Sequence, residues 1–258
     1  MIEGFEEIKT KMLAMREAAR KNPPKLIEYD CPECKDSRII TRIDEDGVER
    51  ASICQCVQLE QARRIMRQSG LSDIQRSVNF TSYQTFGNKD LENAKQKAIN
   101  YYRGFLKIEK TEQNSMLLCG QVGAGKTHLG IAISNNLMEQ RIPVVYMPYR
   151  NAITALKQNI MDEEGYAREM NKYLNARVLY IDDLLKGQPT ESDRKILFEI
   201  INHRYINGLP MIITTEVRPE ALIDFDEAIG SRILERSRGN IVVFRGSQLN
   251  YRLRGLGL

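Results

Sequence analysis

Two stretches of this chain carry residue types at spacings that can do chemistry on phosphate. Gly120-Gln121-Val122-Gly123-Ala124-Gly125-Lys126-Thr127 matches G-x-x-x-x-G-K-[ST] at every fixed position. Gly120, Gly123 and Gly125 omit the Cβ that would stop backbone N–H groups, that of Ala124 included, from curling around phosphate oxygens. Lys126 has the reach and charge for the β- and γ-phosphates, and the Thr127 hydroxyl can hold Mg²⁺. His128 follows on the first helical turn, where the dipole favours an anion. It is grouped with the loop and expected to pack rather than to catalyse. The second stretch, Arg177-Val178-Leu179-Tyr180-Ile181-Asp182-Asp183, is an apolar run ending in two carboxylates. A buried parallel strand delivers acids to its C-terminal edge in this way. Asp182 is expected to join Thr127 in the Mg²⁺ shell, and Asp183 to orient or deprotonate an attacking water as general base. The predicted ligand is a nucleoside triphosphate, ATP, with Mg²⁺.

Such a loop works only between a strand and a helix. Residues 115–119 read as a buried strand and residues 128–140 as a helix. The alternation continues: a helix over 91–110, a strand over 143–147, and two helices across 149–174 broken near Glu163-Glu164-Gly165. A strand over 178–182, a helix over 191–207 and strands over 211–215 and 241–244 complete it. This is the pattern of an α/β fold, a doubly wound parallel sheet with nucleotide at its strand ends.

Upstream, Cys31-Pro32-Glu33-Cys34 and Cys54-Gln55-Cys56 form a C-x₂-C knuckle and a C-x-C pair, separated by 19 residues that fit a short hairpin around Asp46-Gly47. Four soft thiolates in two close pairs suit tetrahedral, structural Zn²⁺; a redox pair or unrelated thiols are the competing readings. The segment has few large apolar residues, so metal would supply much of its folding free energy. Cys119 is expected as a buried strand residue, outside that set.

Residues 1–21 read as an amphipathic helix, with Phe5, Ile8, Met12, Met15 and Ala19 on one stripe and Asn22-Pro23-Pro24 as its stop. That stripe packs on its own domain or docks on another protein. A helix over 57–68 ends at Ser69-Gly70. Residues 71–88 form a linker and docking segment anchored by Phe80, Tyr83 and Phe86, with packing beside an adenine as the alternative role for these aromatics. The domain limits follow: 1–70, linker 71–88, and 89–258.

The 258-residue chain has 42% apolar and 28% charged residues and a net charge of +4, as in an ordinary soluble protein. No run approaches a membrane span and no signal peptide opens the chain, so a cytoplasmic address is expected. Residues 228–258 carry Arg232, Arg236, Arg238, Arg245, Arg252 and Arg254 against Glu235. An arginine cluster suits phosphate, on a nucleotide or a nucleic-acid backbone.

Taken together, Gly123 to Leu129, Tyr180-Ile181-Asp182-Asp183-Leu184, Asn202-His203-Arg204-Tyr205 and Met211-Ile212-Ile213-Thr214-Thr215 resemble the bacterial and phage helicase loaders, the DnaC/DnaI-type AAA+ ATPases. The four-cysteine module is similar to the zinc-binding domain of the DnaI-like and phage branch. The resemblance implies an AAA+ P-loop core without a separate helical lid, preceded by a small zinc-binding α+β domain. It implies weak, assembly- or DNA-stimulated ATP hydrolysis and loading of a DnaB-type helicase hexamer onto single-stranded DNA. ATP would order the subunits into an oligomer, and no membrane is involved. Thr215 or Glu216 would sense the γ-phosphate, Arg252 would reach it from its own subunit, and Arg236, with Arg232 as second choice, would act as the arginine finger on a neighbouring subunit. In the two helices across 149–174, Arg150, Lys157, Arg168 and Lys172 would meet the DNA backbone. An IstB-type transposition helper, and a phage protein that blocks the host helicase machinery, are the alternatives.

Overall fold

The structure, a computed structural model, describes residues 29–43, 45–68 and 77–253. The helix expected over residues 1–21, the start of the linker and Arg254 lie outside the described residues. The chain divides into two compact units, Met1–Cys54 and Gln55–Leu258. The expected limits at residues 70 and 88 fall within the second.

In the first unit, β1 (Ile39–Ile43) and β2 (Glu49–Ile53) form the expected antiparallel hairpin, with Ile39 opposite Ile53 and Ile43 opposite Glu49. Gly47 takes φ +77° in its turn, a conformation open to glycine. Both strands are almost wholly exposed. Among the described residues the hairpin therefore has no apolar core of its own.

The second unit opens with α1 (Gln55–Gln68), followed by α2 (Lys89–Ile108), β3 (Met116–Gly120), α3 (Lys126–Glu139), β4 (Val144–Pro148), α4 (Tyr149–Gln158), α5 (Glu163–Leu174) and β5 (Val178–Leu184). The chain continues through α6 (Glu191–Ile206), β6 (Met211–Thr215), α7 (Pro219–Phe225), α8 (Glu227–Arg236) and β7 (Ile241–Phe244). The five strands pair in the order β4-β5-β6-β3-β7, every neighbour parallel. β6 thus separates the phosphate-loop strand from the acidic strand.

Side chains alternate across the sheet, as strand geometry requires. Met116, Leu118, Val178, Tyr180 and Ile212 pack on one face with α2 and α3. Leu117, Cys119, Leu179, Ile181 and Ile213 pack on the other with α4, α5, α6 and α8. Runs that are apolar at every position, such as Met116–Cys119, follow from this burial on both sides. Caps fix the helix starts: Asn88 accepts from Asp90 N and Leu91 N, and Thr190 and Asp193 close a capping box. Periodicity left α7 and α8 unassigned, although Pro219 at the first turn and Asp226, which accepts from Ile229 N, mark their starts.

One side chain ties the far end of the sheet together. Arg204 is fully buried on α6, and its guanidinium donates to the carbonyls of Tyr173, Leu174, Ala176 and Pro210 at 2.7–3.1 Å. It satisfies the carbonyls that end α5 and lead into β5 and β6, a role the sequence did not signal. Burial and then the nearby Arg236 charge lower its pKa to about 9.

Candidate functional site

Gly120 ends β3 and Lys126 opens α3, so the expected loop bridges strand and helix. Gly125 caps the helix at φ +83°, and a Cβ there would stand 2.6 Å from the Tyr83 ring. A Cβ on Gly123 would collide with the Asn250 carboxamide. The loop is held from both sides by sequence-distant segments. Tyr83 Oη donates to Ala124 O at 2.9 Å, and Tyr251 N donates to Gly123 O at 3.0 Å.

Lys126 is 6% exposed, with Nζ donating to Gly120 O and Gln121 O at 2.8 and 2.7 Å. Burial lowers its pKa, opposed by the charges of Glu216 and Asp183. His128 packs as expected: Nε2 lies 3.2 Å from both Ser82 Oγ and Asn79 O, and its ring meets Tyr83 edge-on. Burial holds its pKa below the ordinary value.

Asp182, 7% exposed, sits in a ring of hydroxyls. Its Oδ1 accepts from Thr127 at 3.0 Å, Tyr180 at 2.8 Å and Thr214 at 2.5 Å, and its Oδ2 from Tyr146 at 2.8 Å. Burial, followed by the Asp182 charge, raises both tyrosine pKa values well above normal. The Thr127 hydroxyl against the Asp182 carboxylate is an all-oxygen donor set that fits Mg²⁺. Asp183 adopts φ +55° where β5 shifts register against β6, and its N–H donates to Thr214 Oγ1 at 2.9 Å. A strained non-glycine residue at a strand end is a common mark of a functional position.

Thr214, not Thr215, is therefore the β6 residue that joins the two aspartates. Thr215 is buried, its hydroxyl donating to Leu184 O at 2.7 Å and accepting from Val217 N at 3.1 Å. Glu216, by contrast, lines a cavity of about 420 Å³ together with Lys126, Thr127, Asp183, Arg252 and an unexpected participant, Lys186. That volume suits a small-molecule ligand. Phe86 and Tyr251 stack with centroids 5.5 Å apart and also line it, which puts part of the aromatic linker at the cavity.

The two finger candidates lie elsewhere. Arg236 is 6% exposed, and its carbonyl accepts from Ser115 N beside the start of β3, opposite the loop end. Its Nε and one terminal nitrogen are buried without a hydrogen-bond partner among the described residues. Arg232 is half-buried over the Phe198 and Tyr205 rings and donates to Ala228 O at 2.7 Å.

The Sγ atoms of Cys31, Cys34, Cys54 and Cys56 all lie within 4.8 Å of one another. Cys31 and Cys54 are 3.8 Å apart, which matches the ~3.8 Å edge of a tetrahedron with Zn–S bonds of about 2.3 Å. The Asp36 carboxylate accepts from Cys31 N at 2.8 Å, and Lys35 N donates to Cys31 O, closing the knuckle. The cluster fits a zinc site. Cys119 is buried in β3, apart from it.

A phosphate loop at the C-terminal end of a central parallel strand, with the aspartate strand one removed from it, defines an AAA+ P-loop core. The model of the family described as IstB-like ATP binding protein matches residues 49–254, and the chain belongs to that family. It is 33% identical to YqaM of Bacillus subtilis (strain 168) over 88% of this chain and 86% of that one. It is 32% identical to the phage-like element PBSX protein XkdC of the same strain over 88% of each. A crystal structure of the DnaC helicase loader superposes with TM-score 0.57 at 22% identity, covering 67% of this chain and 100% of that one, and so shares the fold. No helix among the described residues is long and apolar enough to cross a membrane.

Proposed function

We propose that this protein is an ATP-dependent loader that places a replicative ring helicase of the DnaB type on single-stranded DNA. The observation that carries the reading is the gathering of Lys126, Thr127, Asp183 and Arg252 around one cavity, on a fold shared with the DnaC helicase loader. Lys126 and the loop amides would hold the phosphates, and Thr127 with Asp182 the Mg²⁺. Asp183 would serve as base, with Glu216 and Arg252 beside the γ-phosphate. A finger from a neighbouring subunit would make hydrolysis depend on assembly. Arg232 would have to leave the Phe198 and Tyr205 rings and Ala228 O to serve, and Arg236 would need its surroundings to open. Zn²⁺ in the four cysteines would help fold the N-terminal domain, residues 1–70, which would grip the helicase, while Arg150, Lys157, Arg168 and Lys172 would meet the DNA backbone.

Native mass spectrometry with a DnaB-type hexamer, ATP and zinc tests this. A stoichiometric complex that survives Lys126→Ala, while that variant loses ATP binding, is the expected result. The family match also favours a second reading, a transposition helper of the IstB type. Absence of a helicase complex, with ATP-dependent assembly on duplex DNA, would establish that alternative in its place.

A further inference from the structure

Lys186, just beyond β5, stands in the walls of two cavities. One is the nucleotide cavity. The other, about 370 Å³, lies against α4 and is also lined by Tyr149, Arg150, Lys157, Gln188 and Asp193. Lys186 Nζ lies 2.6 Å from Asp183 Oδ2 and 3.6 Å from Glu216 Oε1. The hydrogen bond to Asp183 raises the lysine pKa.

The second cavity is built for an anion. Arg150, Lys157 and Lys186 face one acid, Asp193, which Lys157 already engages at 3.0 Å. In its wall, Tyr149 is 3% exposed and its hydroxyl has no hydrogen-bond partner among the described residues. A phenol donor and two cations not spent on Asp193 match the oxygens of a phosphate.

We infer that Lys186 is a positioning residue that restrains Asp183, and that a phosphodiester entering the second cavity draws Lys186 away and frees that carboxylate. An oxygen already held by an ammonium group at 2.6 Å is less open to a water. The Lys186 side chain is 47% exposed, and an ion pair this open shifts an equilibrium by no more than about fivefold. A competing anion can therefore displace it. The inference rests on Asp183 acting as the base of an ATPase, as proposed above.

Steady-state ATP turnover of the full chain tests it, with Mg²⁺ and zinc present, alone, with an oligo-dT strand, or with inorganic phosphate. Lys186→Ala is expected to raise basal turnover two- to fivefold and to lose stimulation by oligo-dT. Lys186→Arg restores wild-type behaviour, and Asp183→Asn combined with Lys186→Ala shows no gain, because the gain acts through Asp183. Stimulation of the wild type by oligo-dT alone identifies a nucleic-acid backbone as ligand; equal stimulation by inorganic phosphate identifies free phosphate. Basal turnover unchanged or lower in Lys186→Ala, in a wild type that hydrolyses ATP, overturns the restraint. If wild type and variant both bind ATP and neither hydrolyses it, the parent ATPase reading falls as well.

Discussion

Thr214→Val isolates the contact that joins the two aspartates. Valine keeps the volume and β-branching of threonine, so the fully buried β6 position stays filled. What disappears is a 2.5 Å hydroxyl bond to the Asp182 carboxylate and the acceptor for Asp183 N. A hydrogen bond to a charged group is worth about 1.5–3 kcal/mol, and a buried N–H left without its acceptor adds about 1 kcal/mol. Asp182 keeps its donors Thr127, Tyr180 and Tyr146, so part of the loss is recovered. A net cost of about 2–3 kcal/mol lowers Tm by roughly 4–12 °C for a unit of some 200 residues. Calorimetric melts of the wild type, Thr214→Val and Thr214→Ser measure it. Serine retains the hydroxyl and loses one methyl, a cost of about 1 kcal/mol, so it should melt above valine. Valine melting within about 2 °C of wild type, or serine melting below valine, would refute the reasoning.

Three further outcomes are expected. Burial holds the His128 pKa below its ordinary 6.5, so as pH falls through about 6.5 the unfolded chain binds a proton that the folded chain refuses, and stability drops until the folded pKa is reached. His128→Gln should flatten Tm between pH 7.5 and 5.5, and an unchanged slope would count against it. The four-sulfur cluster predicts one zinc per chain by atomic absorption, falling below half in Cys54→Ser, whose sulfur is fully buried; equal zinc in both proteins would remove the cluster as the site. Arg204→Met leaves four carbonyls without their cation and should cost about 4 kcal/mol in urea unfolding. A loss under about 1 kcal/mol would show that the guanidinium does not hold α5 to β5.

The phosphate loop, the aspartate pair and the cysteine cluster were legible because each needs particular residue types at short, fixed spacing. Strands such as Met116–Gly120 and Met211–Thr215 were legible because burial on both faces leaves a continuous apolar run. What stayed hidden depends on partners distant in sequence. Two adjacent threonines end β6, and only the pairing of β6 with β5 decides that Thr214 meets the carboxylates while Thr215 turns to Leu184. Strand alternation shows that the two point to opposite faces, though not which face holds Asp182. Lys186 reads as a solvated loop lysine until the backbone turn at Asp183 and Leu185, both at positive φ, carries it back over the acid. Arg204 sits in a segment quoted for its resemblance, yet its task rests on carbonyls some 30 residues away. A motif points to Arg236 as a finger, and a motif says nothing about the burial that Arg236 displays.

The double grip on the phosphate loop has an optical consequence. The chain contains 11 tyrosines and no tryptophan, so its ultraviolet emission comes from phenol rings alone. Two of those rings belong to the residues that clasp the loop, Tyr83 at Ala124 and Tyr251 at Gly123, and Tyr251 also stacks on Phe86 at the cavity wall. Filling the cavity must disturb the surroundings of both, so the protein carries an intrinsic fluorescent gauge of its own occupancy that needs no attached dye.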